Sequence, residues 1–403
     1  MKRLLSLFTT LTLMCLLSHS SPHHAAAQDV TIEVKTDGDP TIKVKKKGKN
    51  KPPFTGKRPE VNVAILLDTS NSMDGLINQA RSQLWNIVQE FAKAKKNGKT
   101  PLLRVSVFEY GNSKLPASED YIRQVVHLTD DLDKVSESLF GLSTSGGDEY
   151  CGAVIAESVK RLDWSSEPNA YKAIFIAGNE PFDQGSVDFH SSCKVAIQSG
   201  IVVNTIHCGN YQQGVAGKWQ EGAELAEGKF MNINQDEKVR HIQTPHDKII
   251  IELNTSLNRT YLWYGSLAKR KSYANSQIKQ DSNAGSSLSD RAAIKSSSLY
   301  RNVGRDLVDT YQESPGAIAE LSDEKLPKEL QGLTPQQRST RIEEMSSRRA
   351  EIKLQLAEAN RKREAYIAAQ QATQPSAPGE VTLGDAFSEA VGEQLKASGF
   401  NVE

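Results

Sequence analysis

One carboxylate and two serine hydroxyls stand at alternate positions in the short segment Asp68-Thr69-Ser70-Asn71-Ser72. Asp68, Ser70 and Ser72 supply hard oxygen donors, which suit Mg²⁺, Mn²⁺ or Ca²⁺ and not a soft metal. The same side chains could instead cap the helix that follows. The spacing alone leaves both interpretations open, and the elements around the segment decide between them.

The segment lies between an apolar strand and a long helix. Val61–Leu67 is a continuous apolar run that indicates a strand buried on both faces, and Leu76–Ala94 has helical spacing. Further strands are predicted at Leu102–Phe108, Ile122–Leu128 (an edge strand), Tyr171–Ile176 and Ile201–Ile206, and helices at Leu132–Phe140, Gly152–Leu162, Val187–Ser199 and Gly217–Ala226. This alternation predicts an α/β fold, a doubly wound and mostly parallel sheet flanked by helices. Ligands bind beyond the carboxyl ends of such strands, where Asp68 stands.

The Asp-x-Ser-x-Ser motif in this position resembles the metal-ion-dependent adhesion site of von Willebrand factor type A domains, over residues 61–265, about half of the chain. The resemblance implies a Rossmann-like domain with a divalent cation at Asp68, Ser70 and Ser72. Mg²⁺ is the first expectation, with Mn²⁺ and Ca²⁺ as alternatives. It also implies a protein or cell-envelope ligand that offers a carboxylate to the cation.

Two further loops of the family contribute to this site. The second usually supplies a Thr before a helix, often after two glycines; here Asp148 follows Gly146-Gly147 at that position, and Thr144 is a weaker candidate. The third usually carries an Asp, which this chain lacks. Asn179 or Glu180 is expected to replace it, directly or through water.

The N-terminus has the pattern of an export signal. Residues 1–27 combine a basic start, an apolar run too short to span a membrane, and three alanines at the cleavage positions. We expect a mature chain that begins at Gln28 and is soluble in the periplasm or outside the cell. That compartment permits a disulfide between Cys193 and Cys208; buried free thiols are the alternative.

The remaining segments are a basic arm and a helical tail. Residues 28–60 are basic and Pro/Gly-containing, and 246–265 should form a last helix that closes the domain. Residues 266–372 are predicted to be helical, with a charged helix at 335–371, and residues 373–403 form a linker and an amphipathic end helix. The apolar stripe of the charged helix has coiled-coil spacing but is interrupted by Arg349 and Arg363, which favours a helix that lies on a neighbour. Oligomerisation through this tail is an alternative role.

The overall charge balance and the motifs present exclude several classes of protein. The chain has 403 residues with 49 basic and 49 acidic side chains, which excludes a protein built to coat nucleic acid. Residues 28–60 carry nine basic against five acidic side chains, and residues 61–265 carry 19 against 25. No apolar run after the signal is long enough for a membrane span, and no nucleophile–base constellation is present. The sequence predicts an exported, non-enzymatic binding module; a scaffold with a vestigial metal site is the alternative, and a metal-assisted hydrolase is less favoured.

Overall fold

A six-stranded sheet forms the centre of the computed structural model, which describes residues 58–237, 239, 241–318, 321–373 and 381–402. The predicted signal, almost all of the basic arm and the linker at 374–379 fall outside these residues. The strands are β1 Glu60–Asp68, β3 Leu102–Tyr110, β4 Ile122–Thr129, β5 Tyr171–Gly178, β6 Val202–Cys208 and β7 Phe230–Ile233, with a separate short strand β2 Ala94–Lys95. Their order is β4-β3-β1-β5-β6-β7. Within this sheet, β3–β4 is the one antiparallel pair among the described strands, and β4 is an edge strand as expected.

Helices cover both faces of the sheet, which confirms the predicted fold class. They are α1 Asp74–Ala92, α2 Leu132–Gly141, α3 Cys151–Arg161, α4 Phe189–Gln198, α5 Tyr211–Ala216 and α6 Trp219–Leu225. Val63 and Leu67 of β1 pack into a core with α1 and α2, while Ala64 and Leu66 pack into a second core with α3, α4 and α6. Because side chains alternate along a strand, β1 supplies both cores and is buried from Val61 onwards.

The predicted Cys193–Cys208 disulfide is wrong. Both thiols are buried and free, as is Cys151, so the alternative of buried free thiols is confirmed. Cys193 belongs to the core beneath α3 and α4, whereas Cys208 belongs to the core on the opposite face. The sheet separates the two sulfur atoms, and proximity in sequence could not reveal this.

The C-terminal region is helical. Its helices are α7 Asp247–Asn258, α8 Leu267–Ala284, α9 Leu288–Ser296, α10 Leu307–Glu313, α11 Pro335–Thr373 and α12 Leu383–Ala397, followed by the strand β8 Asn401–Val402. Short 3-10 helices lie at Asn71–Met73, Ala117–Glu119, Gly285–Ser287, Pro315–Ile318, Asp323–Lys325 and Lys328–Leu330. Among the described helices, none is long and apolar enough to cross a bilayer.

The long helix α11 lies on α7, α9 and α10. The two arginines that interrupt its apolar stripe are buried because each meets carboxylates. Arg349 Nη1 lies 2.7 Å from Asp306 Oδ2, and Arg363 Nη1 lies 2.6 Å from Asp290 Oδ1. The stripe therefore faces neighbouring helices of the same chain, and its arginines belong to the buried interface.

The end helix α12 returns to the sheet. It packs on α1 and reaches β6 and β7, and the ring of Phe387 stacks on Phe175 of β5 with 4.0 Å between centroids. After it, β8 pairs with β2. The predicted closing helix at 246–265 is shorter, and as α7 it packs mainly on α9 and α11. Residues Lys57–Glu403 form one compact unit.

Candidate functional site

The carboxyl end of β1 brings together the oxygens of the Asp-x-Ser-x-Ser segment. Asp68 is the last residue of β1 and is fully buried. Its Oδ1 accepts a hydrogen bond of 2.7 Å from the backbone N–H of Ser70, which folds the loop back over the carboxylate. The hydroxyls of Ser70 and Ser72 lie 3.3 Å apart. The turn into α1 therefore places all three predicted donors side by side.

The second carboxylate oxygen of Asp68 has no hydrogen-bond partner in the described part of the chain. Oδ2 is buried, and no described residue donates a hydrogen bond to it. An unpaired charged oxygen in a protein interior is costly, and buried charges are normally paired or coordinate a metal. Two hydroxyls and an unpaired carboxylate oxygen are donors that a hard divalent cation accepts, so the residues present fit such an ion.

In the second loop, the predicted Asp148 faces solvent and its neighbour Glu149 faces inward. Asp148 is exposed and accepts a hydrogen bond of 3.2 Å from the Tyr150 hydroxyl. Glu149 is only 6% exposed and faces inward. A β-carbon at Gly111 would lie 2.7 Å from Cγ of Glu149 and 2.9 Å from Oδ1 of Asp68, so both side chains adjoin one point.

A close backbone contact determines which residue of this loop faces inward. A β-carbon at Gly147 would lie 2.6 Å from the carbonyl oxygen of Gly111, so only glycine fits there. The next residue then turns to solvent and the one after it turns inward, where the backbone N–H of Glu149 donates to Gln184 Oε1 at 2.8 Å. Thr144 lies further out and donates to Asp74 Oδ1. The glycine pair Gly146-Gly147 was the feature of the sequence that could have indicated this arrangement. The sequence does not show, however, which strand end the pair contacts.

The third loop borders the site through Asn179 and Glu180. The hydroxyl of Ser72 donates to Asn179 Oδ1 at 3.5 Å, a long hydrogen bond. Glu180 is half-buried, and its backbone carbonyl accepts from Trp219 Nε1 at 2.8 Å. Within the described parts of the chain, no three His, Cys, Asp or Glu side chains converge as a metal cluster. A cation here would therefore depend on the serine hydroxyls as well as on carboxylates.

Burial and neighbouring negative charge raise the pKa values of Asp68 and Glu149. Burial raises the pKa of Asp68 to about 7, and the negative charge of Glu180 adds to the shift, while hydrogen bonds from Ser70 oppose it. Burial also raises the pKa of Glu149 to about 7, with further contributions from Asp68 and Glu180. A positive ion at this point would favour the ionised forms.

Comparisons with known proteins give a family and several structures of similar fold. The family model of the von Willebrand factor type A domain matches residues 62–243. No curated protein matches the chain. Among solved structures, BatB from Bacteroides thetaiotaomicron is 15% identical with a TM-score of 0.33, over 43% of this chain and 90% of that one. The VWA domain of SpRpn10 is 13% identical with a TM-score of 0.34, over 45% and 90% of the two chains.

Another similar structure is proximal thread matrix protein 1 from the mussel byssus, whose adhesion-site motif holds zinc. It is 14% identical with a TM-score of 0.34, over 45% of this chain and 43% of that one. Domains of this family commonly bind a divalent cation at the adhesion site and mediate protein interactions there. Residues 62–243 of this chain are a von Willebrand factor type A domain, as the Asp68-x-Ser70-x-Ser72 motif predicted.

Proposed function

We propose that the protein is a binding module that recognises a protein or cell-envelope ligand through a divalent cation at Asp68, Ser70 and Ser72. The observation that carries this proposal is the buried Asp68 carboxylate, whose Oδ2 lacks a described partner while two hydroxyls lie beside it. The proposal assigns no catalytic role to the site.

These three residues would bind the cation through oxygen. When bound, the ion supplies a Lewis-acidic position that an oxygen of the ligand can occupy. The backbone N–H of Ser70 holds the Asp68 carboxylate in one orientation, and burial keeps water from competing for it. Hard donors of this kind favour Mg²⁺, with Mn²⁺ and Ca²⁺ as alternatives.

Cation-dependent thermal unfolding tests the proposal. Mg²⁺, Mn²⁺ and Ca²⁺ are titrated into the chelator-treated protein, into Asp68→Ala, and into a matched control, Asp163→Ala, which removes an exposed acid just beyond the far end of α3. An ion that binds only the folded state must raise the unfolding temperature. Stabilisation should appear in the wild type and the control and disappear in Asp68→Ala. An identical response, or none, in all three proteins contradicts the proposal.

Ligand recognition has its own test. The immobilised wild type is exposed to solubilised cell envelope with and without EDTA, in parallel with Asp68→Ala. The expected ligand is retained only by the wild type and is released by EDTA. Retention that is equal on both proteins would assign recognition to another surface.

Export is part of the same proposal. It rests on the signal-like pattern of residues 1–27, with its basic start and the small residues at 25–27. Fractionation of an expressing bacterium, with N-terminal sequencing of the product, should give a chain that begins at Gln28 outside the cytoplasm. An unprocessed cytoplasmic chain argues against export.

A further inference from the structure

We infer that Glu149 is the second anionic ligand of the cation, so that this chain neutralises a divalent ion with its own carboxylates. The inference rests on the proposed cation site and adds a residue to it. In the family pattern a neutral Thr hydroxyl occupies this loop.

Glu149 and Asp68 approach the same point from two loops, since a β-carbon at Gly111 would contact Cγ of the one and Oδ1 of the other. Gly111 has φ +75, which an L side chain rarely adopts, so the space above it stays open to both carboxylates. Asp148, one residue earlier, points to solvent and bonds to Tyr150.

Glu149 is 6% exposed and Asp68 fully buried. Two buried carboxyls that are both ionised need a counter-charge, because without one at least one of them takes up a proton. Asp68 also has an oxygen, Oδ2, without a hydrogen-bond donor among the described residues. A divalent cation bound by both carboxylates supplies the counter-charge. Glu149 adjoins the Oδ1 side of Asp68, and Oδ2, on the Gly178 side, is a further oxygen open to the ion.

A consequence for the site follows. One Asp and one Glu balance the charge of a divalent cation, whereas one Asp and neutral hydroxyls leave a net positive charge. The isolated protein should therefore retain the ion without a carboxylate from a partner. The affinity of a site built from oxygen ligands depends on how many of those ligands are charged. Loss of Glu149 should therefore weaken cation binding strongly.

The experiment is a Mn²⁺ titration of the chelator-treated full mature chain. Free Mn²⁺ is read from its paramagnetic resonance signal. The proteins are the wild type, Asp68→Asn, Glu149→Gln and the neighbouring control Asp148→Asn. Glu149→Gln should weaken Mn²⁺ affinity by at least about tenfold, while Asp148→Asn should change it by less than about threefold.

The outcomes separate the two proposals. If the wild type binds Mn²⁺ through Asp68 but Glu149→Gln binds equally well, only the role of Glu149 is overturned; the same holds if Asp148→Asn weakens binding as much as Glu149→Gln. If the wild type binds no Mn²⁺, the proposed function falls as well. Glu149→Gln removes a buried charge, so circular dichroism in EDTA should show a folded protein. If it is unfolded, Glu149→Asp, which keeps the charge, takes its place and should reduce affinity without abolishing it; unchanged affinity overturns the inference.

Discussion

Replacement of Asp68 by Asn should stabilise the cation-free protein and abolish its response to cations. Burial raises the pKa of this carboxyl from 3.8 to about 7. A group whose pKa is higher in the folded state holds its proton more tightly there, so the free energy of unfolding falls as the pH rises from about 4 to 7. At 1.36 kcal/mol per pKa unit, the difference between 3.8 and about 7 corresponds to up to about 4 kcal/mol.

Asparagine cannot ionise, so the variant does not lose stability at this position as the pH rises, and its side-chain oxygen can still accept a hydrogen bond from the Ser70 N–H. In EDTA at pH 8, Asp68→Asn should therefore exceed the wild type in free energy of unfolding by up to about 4 kcal/mol. The difference should vanish below about pH 3, under the unfolded-state pKa of 3.8, where the wild-type carboxyl is protonated in both states.

A saturating cation should narrow this difference. An ion present at a hundred times its dissociation constant adds about 2.7 kcal/mol to a protein that binds it, and only the wild type should gain this. Urea unfolding monitored by circular dichroism, at a series of pH values with EDTA or Mg²⁺, measures both effects. Asp163→Asn is the control for loss of one exposed acid. The reasoning is refuted if wild type and Asp68→Asn show parallel pH curves and equal gains with Mg²⁺.

Three further substitutions test the surrounding structure by the same unfolding measurement. Gly111→Ala should lose about 1–3 kcal/mol, because its φ is +75 and the new β-carbon would contact Asp68; a stable variant with normal Mn²⁺ affinity would contradict the close approach. Arg349→Met should lose about 3–5 kcal/mol, since Asp306 is left as an unpaired buried charge, and a neutral result would mean that the ion pair contributes little. Phe387→Ala should lose about 3–5 kcal/mol by removing the stack on the sheet, while the exposed neighbour Ser388→Ala should change little; equal effects would place α12 off the sheet.

Local patterns in the sequence sufficed for the sheet and for the first part of the site. Asn62 is the one polar residue between Val61 and Leu67. Such an apolar run indicates a strand buried on both sides. The Asp-x-Ser-x-Ser spacing needs only a short turn to bring its oxygens together, so chain connectivity alone places Ser70 beside Asp68.

Features that depend on distant contacts were not predictable. Whether Asp148 or Glu149 faces inward is set by the contact of Gly147 with Gly111, a tertiary contact that one loop does not reveal. The predicted disulfide was wrong for the same reason. Which face of the sheet a thiol lies on depends on how its helix or strand is placed, and the local sequence does not show this.

Arg349 and Arg363 illustrate a second limit. In the sequence they look like breaks in an apolar stripe, and in the fold they are buried because Asp306 and Asp290 lie opposite them. A pattern read along one helix does not identify the partner that neutralises a charge. Similarly, the amphipathic end helix was evident from the sequence, but not the surface that it covers.

The return of α12 to the sheet has a consequence for how the chain acquires its structure. Leu383 and Phe387 complete a core that begins with β1, so the contact between Phe387 and Phe175 joins segments made far apart in time. During synthesis, the apolar face beside α1 stays uncovered until α12 has been made. Contacts of such long sequence separation slow folding. The core around Phe175 should therefore reach its final packing only after α12 has been synthesised.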